Sequence, residues 1–188
     1  MQAGQSRSSN PDATPPDAVH EAFRDLHARR LHGFALLLVL GDRPAAARLA
    51  SDALRAAGER ISELRHPERA AAWLRARVVR MARGIGRTEA GRNDHVDALD
   101  RLGVDAAVFA GLEALSQRER AALVATTIER FDWRDAATIV DSDDQGFDRL
   151  VTRARRRYAA AYGAAAPEAI AHGPLGERVR AIAQRAMT

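Results

Sequence analysis

The chain of 188 residues is long enough for one large or two small domains, each with a modest hydrophobic core. It contains no Cys, which excludes disulfides and thiolate chemistry, and its longest apolar run, residues 34–40, is much shorter than the roughly 20 residues of a membrane span. We therefore expect a cytoplasmic protein without membrane insertion. Abundant Ala and few β-branched runs favour an all-α fold.

Charge is distributed along the chain in blocks. The net charge is 0 over residues 1–64, +6 over 65–92, −8 over 93–148 and +6 over 149–188, which together give the net +4 of the chain. All 29 basic residues are Arg. Two basic segments on either side of an acidic one predict a protein that binds a polyanion at two places.

Apolar residues at helical spacing predict three helices in the first part of the chain, after a polar tail at residues 1–16 that we expect to be disordered. Gly41 ends the first helix, and a proline lies at the start of each of the next two, where the first turn tolerates it. The three predicted helices cover residues 17–40, 44–64 and 67–85. We assign them to a first domain at 17–87, followed by a linker at 88–104.

Capping signals predict the helices of a second domain, residues 105–158. One helix begins at a capping box formed by Ser116 and Glu119 and runs to Arg130. A short helix capped by Asp132 follows, and after a tight polar turn comes a longer basic helix, which together are typical of a helix-turn-helix. Residues 159–188 are predicted as a C-terminal extension with one short amphipathic helix.

The long helix after the turn carries the best candidates for DNA binding. It begins at a second predicted capping box, Ser142 with Gln145, and its apolar stripe is centred on Phe147. Gln and Arg side chains suit base edges in the major groove, while neighbouring Arg residues neutralise phosphates. An ordinary solvated helix face is the alternative interpretation. The candidate residues, opposite the apolar stripe, are Gln145, Arg149, Thr152, Arg153 and Arg156.

The third predicted helix offers a second candidate surface. Arg80, Arg83 and Arg87 share one side of it, Arg75 lies on the flank, and Trp73 is near the start. A basic stripe beside an aromatic side chain suits phosphates and an unstacked base. The same residues also fit a solvated face with the Trp side chain packed in the core.

Four segments, taken in order, resemble the extracytoplasmic-function sigma factors of bacterial RNA polymerase. Residues 66–75 (HPERAAAWLR) resemble the Trp-Leu helix of the family's first domain, and residues 112–123 (LEALSQRERAAL) resemble the opening of its second domain. Residues 133–137 (WRDAA) and 151–155 (VTRAR) resemble the short helix that follows and the end of the recognition helix. The resemblance implies that the first domain contacts core RNA polymerase and melted promoter DNA, and that the second contacts duplex promoter DNA. It also implies an anti-sigma protein as a frequent further partner.

The polymerase contact of that family maps to the second predicted helix, at Arg48, Leu49, Ser51 and Asp52. Leu49 and Asp52 keep the family's pattern, whereas Arg48 and Ser51 stand where the family has an acidic residue and a Gln, so a charge is reversed at a charge-dependent contact. Two alternatives therefore stay open. One is a sigma-derived interaction module that has lost polymerase binding, and the other is a dimeric helix-turn-helix regulator.

Enzymatic chemistry has little support in the sequence. The six His residues never take the spacing of two ligands beside a carboxylate that zinc hydrolases need. No Gly-rich phosphate-binding loop follows a predicted strand. We therefore expect no catalytic activity, no cofactor and no metal site.

Overall fold

The computed structural model describes residues 16–60, 63–64, 66–83, 85, 99 and 104–166. All regular structure within these ranges is helical, so the predicted all-α fold is confirmed. Residues 1–15 of the predicted tail, most of the predicted linker and the predicted C-terminal helix lie outside the described residues, while Pro16, assigned to the tail, begins the first helix. The helices are α1 (Pro16–Leu38), α2 (Arg43–Gly58), α3 (Pro67–Ala82), α4 (Ala106–Glu113), α5 (Gln117–Leu123), α6 (Trp133–Ile139) and α7 (Asp144–Ala165).

Helices α1 and α2 form an antiparallel pair joined by a tight turn. The chain leaves α1 through left-handed backbone at Leu40 (φ 55°) and Gly41 (φ 90°), and the Gly41 N–H donates to the Leu36 carbonyl at 2.9 Å. Asp42 then caps α2 by accepting a hydrogen bond from the Ala45 N–H at 2.8 Å. The buried face of α2 consists mainly of small side chains, among them Ala46, Ala50, Ala53 and Ala57.

The second helix is shorter than predicted. It ends at Gly58, not at Leu64, because glycine has a low helix propensity and a side chain of α1 reaches its carbonyl. His20 Nε2 lies 3.0 Å from the Gly58 carbonyl oxygen, and the Arg60 N–H donates to the Ala57 carbonyl in a turn. The predicted extension of the α2 stripe to Leu64 is therefore wrong.

Helix α3 connects the two parts of the chain. Arg69, near its start, interacts with Asp135 in the first turn of α6, and Arg83, just past its end, lies 3.8 Å from Asp141, just past the end of α6. The two helices therefore run side by side in the same direction. Buried side chains of α1–α3 and α4–α7 belong to one hydrophobic cluster, so the predicted arrangement of two separate bundles is not confirmed.

Helix α4 was not predicted, although Asp105 was the expected start of the second domain. Asp105 is the N-cap of α4 and accepts a hydrogen bond from the Val108 N–H at 2.8 Å. A Cβ atom at Gly111 would lie 2.6 Å from the ring of Tyr158 on α7. Glycine is required there because α4 and α7 approach too closely for any other residue.

The capping box at the start of α5 is confirmed, since the Ser116 Oγ accepts from the Glu119 N–H and Glu119 Oε2 accepts from the Ser116 N–H at 2.9 Å. Beyond Leu123 the helix widens into one π-helical turn, Val124–Ile128, so it does not continue as an α-helix to the predicted end at Arg130. The Glu129 N–H closes this turn on the Val124 carbonyl at 3.0 Å. The turn brings the Glu129 side chain to α3.

A buried ion pair between Arg75 and Glu129 joins α3 to the end of this π turn. Arg75 Nε and Nη2 donate to the two carboxylate oxygens at 2.6 and 2.5 Å, and the two side chains are 3% and 7% exposed. The guanidinium carbon also lies 5.9 Å from the Phe34 ring centre and 5.3 Å from that of Phe131. The prediction that Arg75 contacts nucleic acid is therefore wrong, because no strand can reach the group.

A second buried guanidinium, that of Arg120 in α5, binds the ends of two other helices. Its three nitrogens donate to the carbonyls of Leu112 and Leu115, each at 3.0 Å, and of Leu38. These carbonyls lie at the ends of α4 and α1, where the last turn leaves backbone acceptors able to take a side-chain donor. Arg120 thereby fixes α1 to α4 and α5.

Replacing Arg75 with Met leaves the Glu129 carboxylate buried without its cation, and we expect a loss of about 3–5 kcal/mol in the free energy of unfolding. Urea denaturation measures it. The matched control is Arg55→Ala, which breaks exposed ion pairs to Asp52 and Glu59 and should cost about 1 kcal/mol or less. The double change Arg75→Met with Glu129→Leu should recover most of the loss. Equal losses in Arg75→Met and Arg55→Ala would contradict a structural role for the buried pair.

The buried His27 makes stability depend on pH. Its Nε2 atom has no hydrogen-bond partner among the described residues, and burial, followed by the positive charges of Arg75 and Arg30, lowers its pKa from the ordinary 6.5. Because the unfolded chain then binds the proton more readily, stability should fall as the pH drops below 6.5 towards the lower folded pKa.

The measurement compares the wild type with His27→Leu in urea between about pH 7.5 and about pH 5. The other titrating groups are common to both proteins and cancel in the difference. We expect the variant to gain stability relative to the wild type as the pH falls. A difference that is constant with pH would show that His27 does not carry the effect.

Candidate nucleic-acid interface

Helices α6 and α7 form a helix-turn-helix around a four-residue turn, 140–143. The Ser142 N–H donates to the Ala137 carbonyl at 3.1 Å and the Asp141 N–H to the Thr138 carbonyl at 3.2 Å, while Asp141 takes left-handed backbone with φ 56°. This hydrogen-bond pair is the Schellman ending of a helix. A short helix, this tight turn and a longer helix are, in this order, the elements of a helix-turn-helix motif.

The start of α7 is capped differently from the prediction. Asp143, not Ser142, is the N-cap, and its carboxylate accepts from the Gly146 N–H at 2.7 Å. The predicted capping box of Ser142 and Gln145 is therefore wrong. A Cβ atom at Gly146 would lie 2.7 Å from Asp143 Oδ1, so glycine at this position accommodates the cap.

Two contacts hold the turn rigidly against the rest of the unit. Arg118 of α5 donates through Nε to the Val140 carbonyl at 3.0 Å and through Nη2 to the Asp141 carbonyl at 2.8 Å. The Trp133 ring meets the fully buried Phe147 ring edge-on, with centroids 4.7 Å apart and planes at 71°. The direction of α7 relative to α5 and α6 is thus set by side chains of all three helices.

Glu119 fixes one flank of α7 to α5. Its side chain is only 3% exposed and accepts from Arg153 Nε at 3.0 Å and Arg157 Nη1 at 2.9 Å, in addition to its capping bond. Burial alone would raise the pKa of this carboxyl, but hydrogen bonds from Ser116 and the charges of Arg157 and Arg153 lower it below its ordinary value. Glu119 therefore stays ionised and keeps α7 in place.

The outward face of α7 carries four of the five residues that the sequence predicted for this helix. All four are exposed, and at about 100° per residue they lie within roughly 60° of arc. Within the described part of the chain, neither Arg149 nor Arg156 forms an ion pair. We call this surface the α7 face, and its members are Gln145, Arg149, Thr152 and Arg156.

The fifth predicted residue, Arg153, lies at the edge of the α7 face. Its side chain is 56% exposed, but its Nε is bonded to Glu119, so it is a structural contact and only partly available to a ligand. Asp144 and Asp148 are exposed on the opposite flank of the helix, each about 100° or more around the axis from Arg149. The acidic residues therefore border the α7 face without lying in its centre.

The exposed side of α3 is basic, but its membership differs from the prediction. Arg80 and Arg83 are exposed as expected, Trp73 is half-buried against the core, and Arg87 lies outside the described residues. The structure adds Arg69 and Arg77 to this side. They lie four residues before and four after Trp73, a helical spacing that the sequence already contains.

The predicted polymerase contact on α2 is only partly at the surface. Leu49 is buried in the core at 4% exposure, so its assignment as a contact residue is wrong. Arg48, Ser51 and Asp52 are exposed on the outer side of α2, and Asp52 lies 3.4 Å from Arg55.

The described residues form neither a metal site nor a membrane-spanning helix. Among the residues that the structure describes, no three His, Asp or Glu side chains are grouped to hold a metal ion, and no helix has the length and apolar character needed to cross a bilayer. Comparison of the chain with protein-family models, with curated proteins and with solved structures finds no match. The ligand of these surfaces is therefore inferred from their own residues.

Replacing Glu119 with Gln keeps the shape of the side chain and a capping acceptor but removes the charge that pairs with two half-exposed arginines. We expect a loss of about 1–3 kcal/mol in the free energy of unfolding near neutral pH. The stabilisation by Glu119 is present above its ordinary pKa of 4.5 and is lost as the pH falls through the lower folded value, so the wild type should approach the variant in acid. Urea denaturation at neutral and acidic pH tests both points. A variant as stable as the wild type at neutral pH would contradict them.

Proposed function

We propose that this protein is a cytoplasmic, sigma-factor-like transcription initiation protein that binds duplex promoter DNA through the α7 face and has no catalytic activity of its own. The observation that supports DNA binding most directly is the α7 face itself. It presents Gln and Arg side chains on the second helix of a helix-turn-helix whose turn is held by Arg118. Two of them, Arg149 and Arg156, form no ion pair with any described residue.

In the proposed complex α7 lies in the major groove. An α-helix with its side chains is about 10–12 Å across and the groove is about 12 Å wide, so the outward face meets base edges while the flanks face the two phosphate backbones. Gln145, near the N-terminus of α7, and Arg149, one turn later, are placed to read bases. Arg156, two turns further along, is placed to contact phosphate.

The sigma-like part of the proposal is supported by the order of the four resembling segments and by the exposed side of α3. Arg69, Arg77 and Arg80 surround a half-buried Trp73 there. Cations that neutralise phosphates, next to an aromatic ring on which a base can stack, suit an unpaired nucleic-acid strand. The exposed residues of α2 would then meet core RNA polymerase.

The double change Arg149→Ala with Arg156→Ala tests duplex binding. Removing one base-reading and one phosphate-contacting arginine should weaken binding and lower the magnitude of the slope of log Kobs against log salt by about 0.9, the contribution of the phosphate contact of Arg156. Fluorescence anisotropy with a labelled duplex, titrated at several salt concentrations, measures the slope. Arg55→Ala is the control, because Arg55 is an exposed arginine on α2 that belongs to neither the α7 face nor the flanks of α7. A slope equal to that of the control would count against the α7 face as a DNA site.

A second candidate function is that of a sigma-derived regulator that no longer binds polymerase. Two residues of α2 favour it. Arg48 reverses the charge expected at the polymerase contact, and Leu49 is buried and unable to contribute. Gel filtration of the protein with core RNA polymerase separates the two candidates. A stable complex supports the initiation factor, and its absence, with duplex binding intact, supports the regulator.

A further inference from the structure

A row of half-exposed arginines connects α7 to the end of α3 across the start of α5. Arg157 and Arg153 of α7 both bond to Glu119, whose neighbour Arg118 bonds to the turn of the helix-turn-helix, and Arg83 lies beside Asp141 in that same turn. We call this surface the arginine ridge. Its members are Arg157, Arg153, Arg118 and Arg83.

The ridge has a fixed shape because its supports are bonded to one another. Gln117 Nε2 donates to the Ala82 carbonyl at 3.0 Å and so attaches the end of α3 to the start of α5. Arg118 uses two of its five N–H donors on backbone carbonyls of the turn, and its side chain is still exposed. The position of Arg83 relative to α7 is therefore set by the folded protein.

The charge of the ridge is positive. Four guanidinium groups face two carboxylates, and one of these, Glu119, is 3% exposed and directed inwards. Only Asp141 lies at the surface, and Arg83 is 3.8 Å from it. A polyanion that passes along the ridge would meet a net charge of about +2 and release counterions in proportion.

We propose that the ridge binds the phosphate backbone of the same DNA duplex whose major groove receives α7, so that α3 and α7 contact one duplex together. The inference rests on the proposed function, because it takes α7 as the groove-binding helix. Arg153 and Arg157 form the flank of α7 on the side of α5. With α7 in the groove this flank faces one backbone strand, and the ridge extends that flank to Arg83.

A duplex of about 30 base pairs with arbitrary sequence is a sufficient probe, because contacts to the backbone carry no sequence information. Arg83→Ala should weaken duplex binding and lower the salt slope by about 0.9, which corresponds to one phosphate contact. The matched control is Arg55→Ala, an exposed arginine in a comparable surface ion pair on α2 (3.4 Å), which should retain the wild-type slope.

The variant Asp141→Asn should change duplex affinity in the opposite direction to Arg83→Ala. Asn adopts left-handed backbone readily, so the turn is kept, and the carbonyl that accepts from Arg118 is unchanged. Removing this surface carboxylate from the ridge should increase duplex affinity by roughly 2–5-fold, the size of a modest change in local charge.

The outcomes separate failure of this inference from failure of the proposed function. If Arg149→Ala with Arg156→Ala lowers the slope but Arg83→Ala behaves like Arg55→Ala, α7 binds DNA and the ridge does not. If Arg83→Ala weakens binding of a single strand of the same length and leaves duplex binding unchanged, the inference is also overturned. If the wild type shows no salt-dependent duplex binding, the proposed function itself fails.

Discussion

The arrangement of these helices depends on two buried guanidinium groups, each of whose three nitrogens donates a hydrogen bond inside the protein. Taking a charge out of water costs several kcal/mol unless a partner and hydrogen bonds compensate for it. Arg75 has the Glu129 carboxylate and two aromatic rings, and Arg120 has three backbone carbonyls at the ends of α1 and α4. A planar group with five donors can serve such divergent acceptors, whereas a lysine ammonium cannot match the fork. Because these bonds connect α1 and α3 with α4, α5 and the segment after the π turn, the helix-turn-helix is held against α3.

The starts of the helices could be predicted from sequence far better than their ends. An N-cap involves residues three apart, as at Ser116 and Glu119 or at Asp132, so the signal is local and readable. The end of α2 at Gly58 instead involves His20, 38 residues away, and the π turn before Glu129 is explained by an ion pair with a residue 54 positions earlier. No window of a dozen residues contains either partner, and α4, only eight residues long, offered too little periodicity to be recognised.

The candidate site shows the same contrast between signals that lie within one helix and contacts between distant residues. The α7 face followed from periodicity alone, because a long helix with one buried stripe leaves its opposite side to solvent. The pattern could not tell which arginines have partners elsewhere in the chain. Arg75 and Arg153 belong to charged stripes by spacing, yet their carboxylate partners lie 54 and 34 residues away. The pairing buries Arg75 and removes it from any ligand, whereas Arg153 stays 56% exposed and is only partly available to one. In a chain whose basic residues are all arginine, composition overestimates the charge that is available to a ligand.

The acidic residues around α7 take on a definite role once the fold is known. Asp143 caps the helix, and the carboxylate of Asp141 lies beside Arg83, so neither acts as a bare negative charge at the turn. Asp144 and Asp148 are exposed, but on the flank of α7 opposite Arg153 and Arg157. Arg155 is exposed on this same flank two turns beyond Asp148, so the flank is acidic only over the first two turns of α7. Over those turns the helix is not symmetric in a groove bordered by two equal phosphate backbones. In the proposed complex, attraction on the flank of Arg153 and Arg157 and repulsion at Asp144 and Asp148 both favour tilting the start of α7 towards the strand that the ridge follows. If α7 binds a duplex as proposed, these carboxylates favour one orientation on it, an effect of charge placement that the net charge of +4 does not reveal.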